Sequence, residues 1–251
     1  MKKNKPQRGN PHQLTLKQHC FPSKSIARFA GLDGCVQVKL LEQEKQLSLK
    51  PENELFCAKR TWDQRAETGY MKEIEDRYQQ LADSIIQRKV QVINKEWQSA
   101  VTDMFALWNI RWLRNEAPIP DQYIENIIDT TACYTKDEQE QLEKIGISVI
   151  TDDFRLSGRH LSGMNIQQNL FLVRKQMADV CWGILQASKG EFIVPDNFSS
   201  VSILPLSPNI CLFSKSGNVI IDEADVKKIN FMAIKDSKKY YFSRDFRDVL
   251  M

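Results

Sequence analysis

Two distant segments of the chain place polar side chains where they could do chemistry. His19 lies in the segment Gln18-His19-Cys20-Phe21-Pro22, and Asp196 ends the apolar run of the segment 192–197. Near physiological pH an imidazole can give or take a proton, or bind a metal ion. A carboxylate at the end of an apolar strand is a common place for a positioned acid. Each residue also has a structural alternative, because a lone histidine near an apolar turn is more often a hydrogen-bonded structural residue and Asp-Asn pairs often cap turns.

Two further acids flank the start of a predicted helix. Glu67 and Glu75 are eight residues apart, a little more than two helical turns, so they project from similar faces if the helix already includes Glu67. Together with His19 and Asp196 they would form a divalent-metal or acid–base cluster, with Glu67 and Asp196 as the candidate ligands of Mg²⁺ or Mn²⁺. The alternative is a solvated helix face on which Glu67 only complements the helix dipole.

The remaining residues with catalytic potential carry weaker signals. His12 lies in a polar lead-in and His160 in a predicted loop, where satisfied side chains are the favoured interpretation. The six cysteines lie 15 to 76 residues apart with no CxxC pair, which favours reduced thiols. The chain has no phosphate-binding GxxxxGK[ST] loop, no GxGxxG, no GxSxG and no HExxH.

The charge is distributed unevenly. The chain carries a net charge of +3, but residues 1–32 hold seven Lys or Arg and no acid, and the remainder sums to −4. A second basic stretch, 227–247, has seven Lys or Arg against two acids. Both ends of the chain could therefore attract a polyanion such as nucleic acid, in a way that weakens with salt. For residues 2–8 an ordinary solvated basic tail is the favoured alternative.

Composition is that of a soluble globular protein. Of the 251 residues, 42% are hydrophobic and 27% are charged. No run approaches the roughly 18 consecutive apolar residues that a membrane span needs, and no apolar core follows the basic N-terminus. The sequence therefore predicts a cytoplasmic location, without membrane association or export.

Hydrophobic periodicity predicts helices in the middle and strands at both ends. Helices are predicted over 68–86, 93–112, 163–187 and 223–234, with two short ones within 121–144. Strands are predicted over 35–40, 192–194, 201–205, 210–213, 219–221 and 240–242. The predicted fold is α+β: a basic flexible lead-in (1–14) precedes a single domain (15–251), in which a small, mostly antiparallel sheet from N- and C-terminal strands clasps a largely helical middle.

Taken in order, several motifs resemble the domain-of-unknown-function 4238 family of bacterial proteins. That family opens with a His-His-Tyr-x-Pro-Gln-Phe-x-Leu-x-x-Phe block, followed by an acid pair at a helix start, a Trp-containing helix, a Phe-Ile-Thr-Ser-Asp-Asn-Pro strand, a Pro-Leu-Ser-Pro strand and an Asn-centred helix. The matching positions in this chain are Gln18 to Phe29, Glu67 and Glu75, Trp182, Phe192 to Asn197, Leu204 to Pro208, and Lys228-Ile229-Asn230. The resemblance covers about residues 15 to 243.

Departures from the family pattern limit what the resemblance implies. Gln18 replaces the first histidine of the pair, Cys20 the tyrosine, Ser23 the glutamine and Phe198 the final proline. The resemblance thus implies a chemistry that uses His19, an acid and Asp196 in one shared site, rather than two adjacent histidines. Some relatives sit in bacterial phage-defence loci, which implies a toxic effector.

Two hypotheses of different classes follow. In the first, the protein is an anti-phage nuclease acting on DNA or RNA, with His19 as general base or acid and with Glu67 and Asp196 as metal ligands or orienting acids. Its substrate-binding residues would be Lys24, Arg28, Glu75, Asn197, Asn230, Lys238 and Lys239. In the second, it is a non-catalytic sensor or inhibitor that binds a phage-encoded protein, and a His19–Asp196 pair locks the N-terminal block onto the sheet.

Overall fold

The computed structural model describes residues 5–125, 134–198, 200–214, 217–247 and 249. The first part of the chain forms β1 (Lys17–His19), α1 (Ser23–Ala27), β2 (Val36–Leu40), β3 (Gln46–Leu49), β4 (Cys57–Lys59), α2 (Gln64–Thr68), α3 (Tyr70–Ile86) and α4 (Lys95–Glu116). The middle forms β5 (Gln122–Tyr123), α5 (Lys136–Lys144), β6 (Arg155–Leu156) and α6 (Gly158–Gln176). The last part forms β7 (Trp182–Ala187), β8 (Val194–Pro195), β9 (Ile203–Ser207), β10 (Ile210–Ser214), β11 (Val219–Ile221), α7 (Glu223–Asp236) and β12 (Tyr240–Ser243).

One sheet joins the two ends of the chain, in the order β3-β2-β12-β8. Strand β12 lies antiparallel between β2 and β8, with Phe242 opposite Val38 on one side and Val194 on the other. Val36 and Val38 are buried while Gln37 and Lys39 are partly exposed, as the period of two in a half-buried strand requires. The α+β prediction, with helices in the middle and strands from both ends, is confirmed.

The other four-stranded sheet, β11-β7-β10-β9, comes from the C-terminal half alone and corrects one prediction. The helix predicted over 163–187 begins at Gly158 and ends at Gln176, and Trp182–Ala187 is strand β7. This strand is paired on both sides, antiparallel to β10 and parallel to β11. Tertiary pairing therefore overrides a helical pattern of apolar residues, which short segments share with strands.

The acidic segment 121–144 was predicted to form two short helices, and one of them is present. Helix α5 begins after Thr135, which forms a reciprocal capping box with Glu138. Gln122–Tyr123 instead pairs with β6, and residues 126–133 lie outside the described part of the chain. His160 belongs to the first turn of α6, not to a loop.

Helix α4 occupies the centre of the core. The side chain of Asn94 caps it by accepting the Trp97 N–H at 2.9 Å, and it ends before Pro118 as predicted. Its Trp108 ring is fully buried between Phe21, 4.5 Å away, and Phe198, 6.1 Å away, measured between ring centroids. Within the described residues, no helix combines the length and the apolar character that a membrane crossing requires.

Helix α3 ends in an uncommon way. Arg88 adopts a left-handed backbone conformation with φ of 60°, a position that glycine usually occupies at a helix end. Its N–H donates to the Ile85 carbonyl at 2.9 Å, and the Lys89 N–H donates to the Ser84 carbonyl at 2.8 Å. These two bonds form the Schellman motif, so the strained conformation is built into the end of the helix.

We expect Arg88→Gly to raise the free energy of unfolding by about 1 kcal/mol, because glycine adopts the left-handed region without the steric cost of a Cβ atom. The melting temperature should rise by roughly 2–4 °C. Lys89→Gly is the matched control, since Lys89 lies outside the left-handed region and its replacement should leave stability unchanged or lower it. Equal destabilisation by both variants in urea titrations would contradict this account.

Candidate functional site

Helix α4 contacts all three predicted catalytic residues. Arg111 donates to the backbone carbonyl of His19 at 3.3 Å, and its guanidinium lies 3.7 Å from the Glu67 carboxylate. Trp108 donates its indole N–H to the backbone carbonyl of Asp196 at 3.1 Å. Among the described residues no hydrogen bond joins His19, Glu67 and Asp196 to one another, so they share a neighbouring helix rather than a hydrogen-bonded site.

Arg111 is the buried charge at the centre of this region. Its side chain is 1% exposed, pairs with the carboxylate of Glu75, and lies with its guanidinium 5.4 Å from the centroid of the Trp62 ring. Burial alone lowers the pKa of Arg111, but the Glu75 and Glu67 carboxylates raise it, and the net shift is upward. Glu67 and Glu75 thus meet at one guanidinium, although they belong to two helices, α2 and α3, and not to the single helix on which the predicted common face depended.

Glu67 is held by a second partner. The indole N–H of the buried Trp62 donates to its carboxylate at 2.5 Å. Trp62 is in turn fixed by Gln18, whose amide N–H donates to the Trp62 carbonyl at 2.9 Å and whose amide oxygen accepts the Thr61 N–H at 2.7 Å. Gln18 thus fastens β1 to the segment before α2.

His19 has one ring nitrogen engaged. Its Nε2 lies 3.1 Å from the Pro51 carbonyl oxygen, which only accepts, so Nε2 carries the proton and Nδ1 holds the lone pair of the neutral ring. The ring is half-buried.

Burial raises the pKa of the adjacent Cys20 thiol to about 12, so this cysteine stays protonated at neutral pH.

Asp196 has a structural environment. It is 2% exposed, and its two carboxylate oxygens accept the backbone N–H groups of Lys238 at 2.9 Å and Lys239 at 2.8 Å. Burial raises the pKa of Asp196, although these two amides and the side chain of Trp112 act in the opposite direction. The carboxylate therefore caps the turn that leads from α7 into β12.

The two predicted substrate-binding amides are buried as well. Asn230 accepts the Ile193 N–H at 2.9 Å and donates to the Glu191 carbonyl at 2.8 Å, so it ties α7 to the segment before β8. Asn197 is 5% exposed, and its Oδ1 has no hydrogen-bond partner among the described residues. Neither side chain faces solvent where a substrate could reach it.

The predicted phosphate-binding bases are mostly paired with acids. Lys24 and Arg28 both contact Asp83, at 2.7 and 2.9 Å, and Lys239 contacts Glu116 at 2.6 Å. Lys238 is exposed.

The N-terminal segment that was predicted to be a flexible lead-in contacts helix α5. The Gln7 N–H donates to Glu140 of that helix at 2.8 Å, and His12 Nε2 lies 2.7 Å from the carboxylate of Asp137.

The predicted metal site does not fit the described residues. Among them, no group of three or more His, Cys, Asp or Glu is arranged to hold a metal ion. Glu67 is bound by an indole and a guanidinium, and Asp196 by backbone amides.

Comparisons with family models, curated proteins and solved structures found no match for this chain. The resemblance to the domain-of-unknown-function 4238 family therefore stays a prediction.

Sequence reasoning missed Arg111 and the buried Asp63–His160 pair. Arg111 lies three and four residues after the buried Trp108 and Leu107, so helical spacing alone puts it on the buried face. Asp63 caps α2 by accepting the Ala66 N–H at 2.6 Å, and its carboxylate is 3.7 Å from His160 Nδ1. No local sequence pattern links Asp63 to His160, because these residues lie at the starts of helices α2 and α6, which are far apart along the sequence.

Asp196→Asn should destabilise the fold by about 2–4 kcal/mol, because the new NH₂ group would face backbone N–H donors that need an acceptor. Chemical denaturation measures the loss. Asp76→Asn is the surface control and should cost no more than about 1 kcal/mol, since its ion pair with Lys72 is exposed on both sides. An Asp196→Asn protein as stable as the wild type would contradict the capping role.

Arg111→Met should cost about 3–5 kcal/mol, because it leaves Glu67 and Glu75 without their shared counter-charge. Adding Glu67→Gln and Glu75→Gln should recover part of this loss. The triple variant should therefore be more stable than Arg111→Met alone in chemical denaturation, because it has no carboxylate without a counter-charge. A triple variant no more stable than Arg111→Met would show that lost packing, not charge, is the cause.

Proposed function

We propose that this chain is a non-catalytic binding protein, a sensor or inhibitor that recognises a phage protein in bacterial defence. One observation carries the proposal: the Asp196 carboxylate, the strongest predicted catalytic acid, has both oxygens bonded to backbone amides inside the core. A catalytic acid or metal ligand needs an oxygen that faces the substrate or the ion. The resemblance to proteins from phage-defence loci supplies the biological context, and in this proposal the protein acts in the cytoplasm.

The surface supports a binding role. Two large apolar side chains of strand β11 that line one groove, Val219 and Ile220, are exposed by 46% and 69%. Exposed apolar side chains that cluster are typical of sites where another protein binds. Of the four bases that the nuclease hypothesis requires for phosphate contacts, three contact Asp83 or Glu116, and these two acids offset half of the positive charge.

The nuclease hypothesis keeps one favourable observation. The bond from His19 Nε2 to the Pro51 carbonyl fixes the tautomer and leaves Nδ1 as a proton acceptor on a half-buried ring. A histidine held in this way is suited to act as a general base. This second candidate function would use His19 without Asp196.

Purified protein incubated with plasmid, tRNA and total RNA, with and without Mg²⁺ or Mn²⁺, should leave all three substrates intact. In a phage-infection assay, His19→Ala should protect cells as well as the wild type. Asp196→Asn should lose protection only in proportion to the loss of folded protein. Metal-dependent cleavage by the wild type that His19→Ala removes at unchanged melting temperature would reject the binding proposal in favour of the nuclease.

A further inference from the structure

A groove of about 680 Å³ lies between the end of α3 and the sheet that contains β7, β10 and β11. Ile86 and Val90 line it from the helix side, and Ile184, Ile210 and Ile220 line it from the sheet. Among the described residues of its lining, Arg88 is the one charged side chain, and no acid is present. The groove thus combines apolar side chains with neutral polar ones, among them Gln91, Gln186 and Asn209, and has a single cationic residue.

Within the described ranges of the chain, the sheet side of the groove ends at an open edge. Strand β11 is the last strand of its sheet and pairs with β7. Ile220 lies opposite Gln186, which lies opposite Ile210, so these three side chains form one row across the groove face. An apolar edge strand with exposed side chains invites pairing with another strand, and proteins normally cover such edges.

The loop that borders the groove is fixed in place. Asn218 donates to the Gln91 carbonyl and accepts the Ile184 N–H at 2.8 Å, so one side chain ties the loop after α3 to both β7 and the start of β11. The groove is therefore preformed, which lowers the entropic cost of binding an extended segment.

Arg88 is not explained by the helix end that it occupies. The two hydrogen bonds of the Schellman motif join backbone atoms, so the Arg88 side chain takes no part in ending the helix, and glycine would adopt the left-handed conformation at lower cost. The residue is exposed, and neither Arg88 nor the neighbouring exposed Lys89 has an ion pair within the described part of the chain. The groove therefore has positive charge at its border that is complementary to a carboxylate.

We propose that this groove binds an extended acidic segment of the partner protein. The segment adds a strand to the free edge of β11, places an apolar side chain beside Ile220 and pairs a carboxylate with Arg88. Main-chain hydrogen bonds supply affinity in this mode of recognition, and the side-chain contacts supply specificity. A guanidinium is suited to the contact because it binds a carboxylate through two parallel N–H donors. The inference rests on the proposed binding function and names the chemistry of its partner.

A randomised dodecapeptide library selected on the immobilised wild-type chain is the test. We expect enrichment of peptides that alternate apolar and polar residues and contain Asp or Glu. The backbone amide of Ile220 should exchange hydrogen more slowly when an enriched peptide is bound, because it faces away from β7 and becomes paired only in the complex. Enriched peptides without an acid, or an Ile220 amide that exchanges at an unchanged rate, would overturn the inference.

Three variants test the contacts with an enriched peptide. Arg88→Gly should weaken binding at least tenfold while its melting temperature stays the same or rises, which separates lost contact from lost fold. Ile220→Glu should abolish binding, since it puts a like charge beside the acidic segment on a side chain that is 69% exposed and unimportant for the core. Arg8→Gly, the loss of an exposed arginine outside the groove, should leave binding unchanged.

Other outcomes point elsewhere. Equal binding by Arg88→Gly and the wild type would remove the groove as the site. A concentration-dependent dimer of the free chain that Ile220→Glu dissociates would assign the edge to a second copy and overturn the inference. Nuclease activity of the wild type would defeat the proposed function, but it would leave the peptide result standing, so the two failures are distinguishable.

Discussion

The buried guanidinium of Arg111 is the interaction on which the arrangement of the N-terminal half depends. A charge that is 1% exposed needs counter-charges and hydrogen-bond acceptors, and these come from three separate elements. Helix α2 contributes Glu67, helix α3 contributes Glu75, and strand β1 contributes the His19 carbonyl. Their positions relative to α4 are therefore set by one side chain, because moving any of them away would leave a buried charge unsatisfied.

The same helix organises the C-terminal half through neutral donors. Trp108 donates to the Asp196 backbone, and the side chain of Trp112 contacts the Asp196 carboxylate. Asp196 then holds the backbone at Lys238 and Lys239, and this fixes where β12 starts. Since β12 lies between β2 and β8, one carboxylate next to α4 determines how the two ends of the chain meet in a sheet.

Local patterns predicted the elements whose partners do not alter them. The 3.6-residue period gave α3 and α4 within a few residues, and alternation gave β2. The pattern failed for Trp182–Ala187, because only pairing with both β10 and β11 makes that segment a strand. At the candidate site, the spacing of Glu67 and Glu75 predicts one face of a single helix, but the helix is interrupted at Gly69, and the two acids meet through Arg111 from α4, a contact that sequence distance hides. Asp196 lies at the end of an apolar run, where positioned carboxylates are common, but the choice between chemistry and capping depends on amides from a turn far along the chain.

The motifs that carry the family resemblance coincide with contacts that hold the fold. Asp196 caps a turn, Asn230 ties α7 to the segment before β8, and Leu204 to Ser207 belong to the buried strand β9. Residues that the fold requires are expected to recur in order whether or not a protein is an enzyme. Function is then better sought in side chains that the fold does not need. Two such side chains are those of Arg88 and Ile220. Glycine would suit the backbone conformation of Arg88 better, and Ile220 is exposed on an edge strand. Both side chains line the same groove.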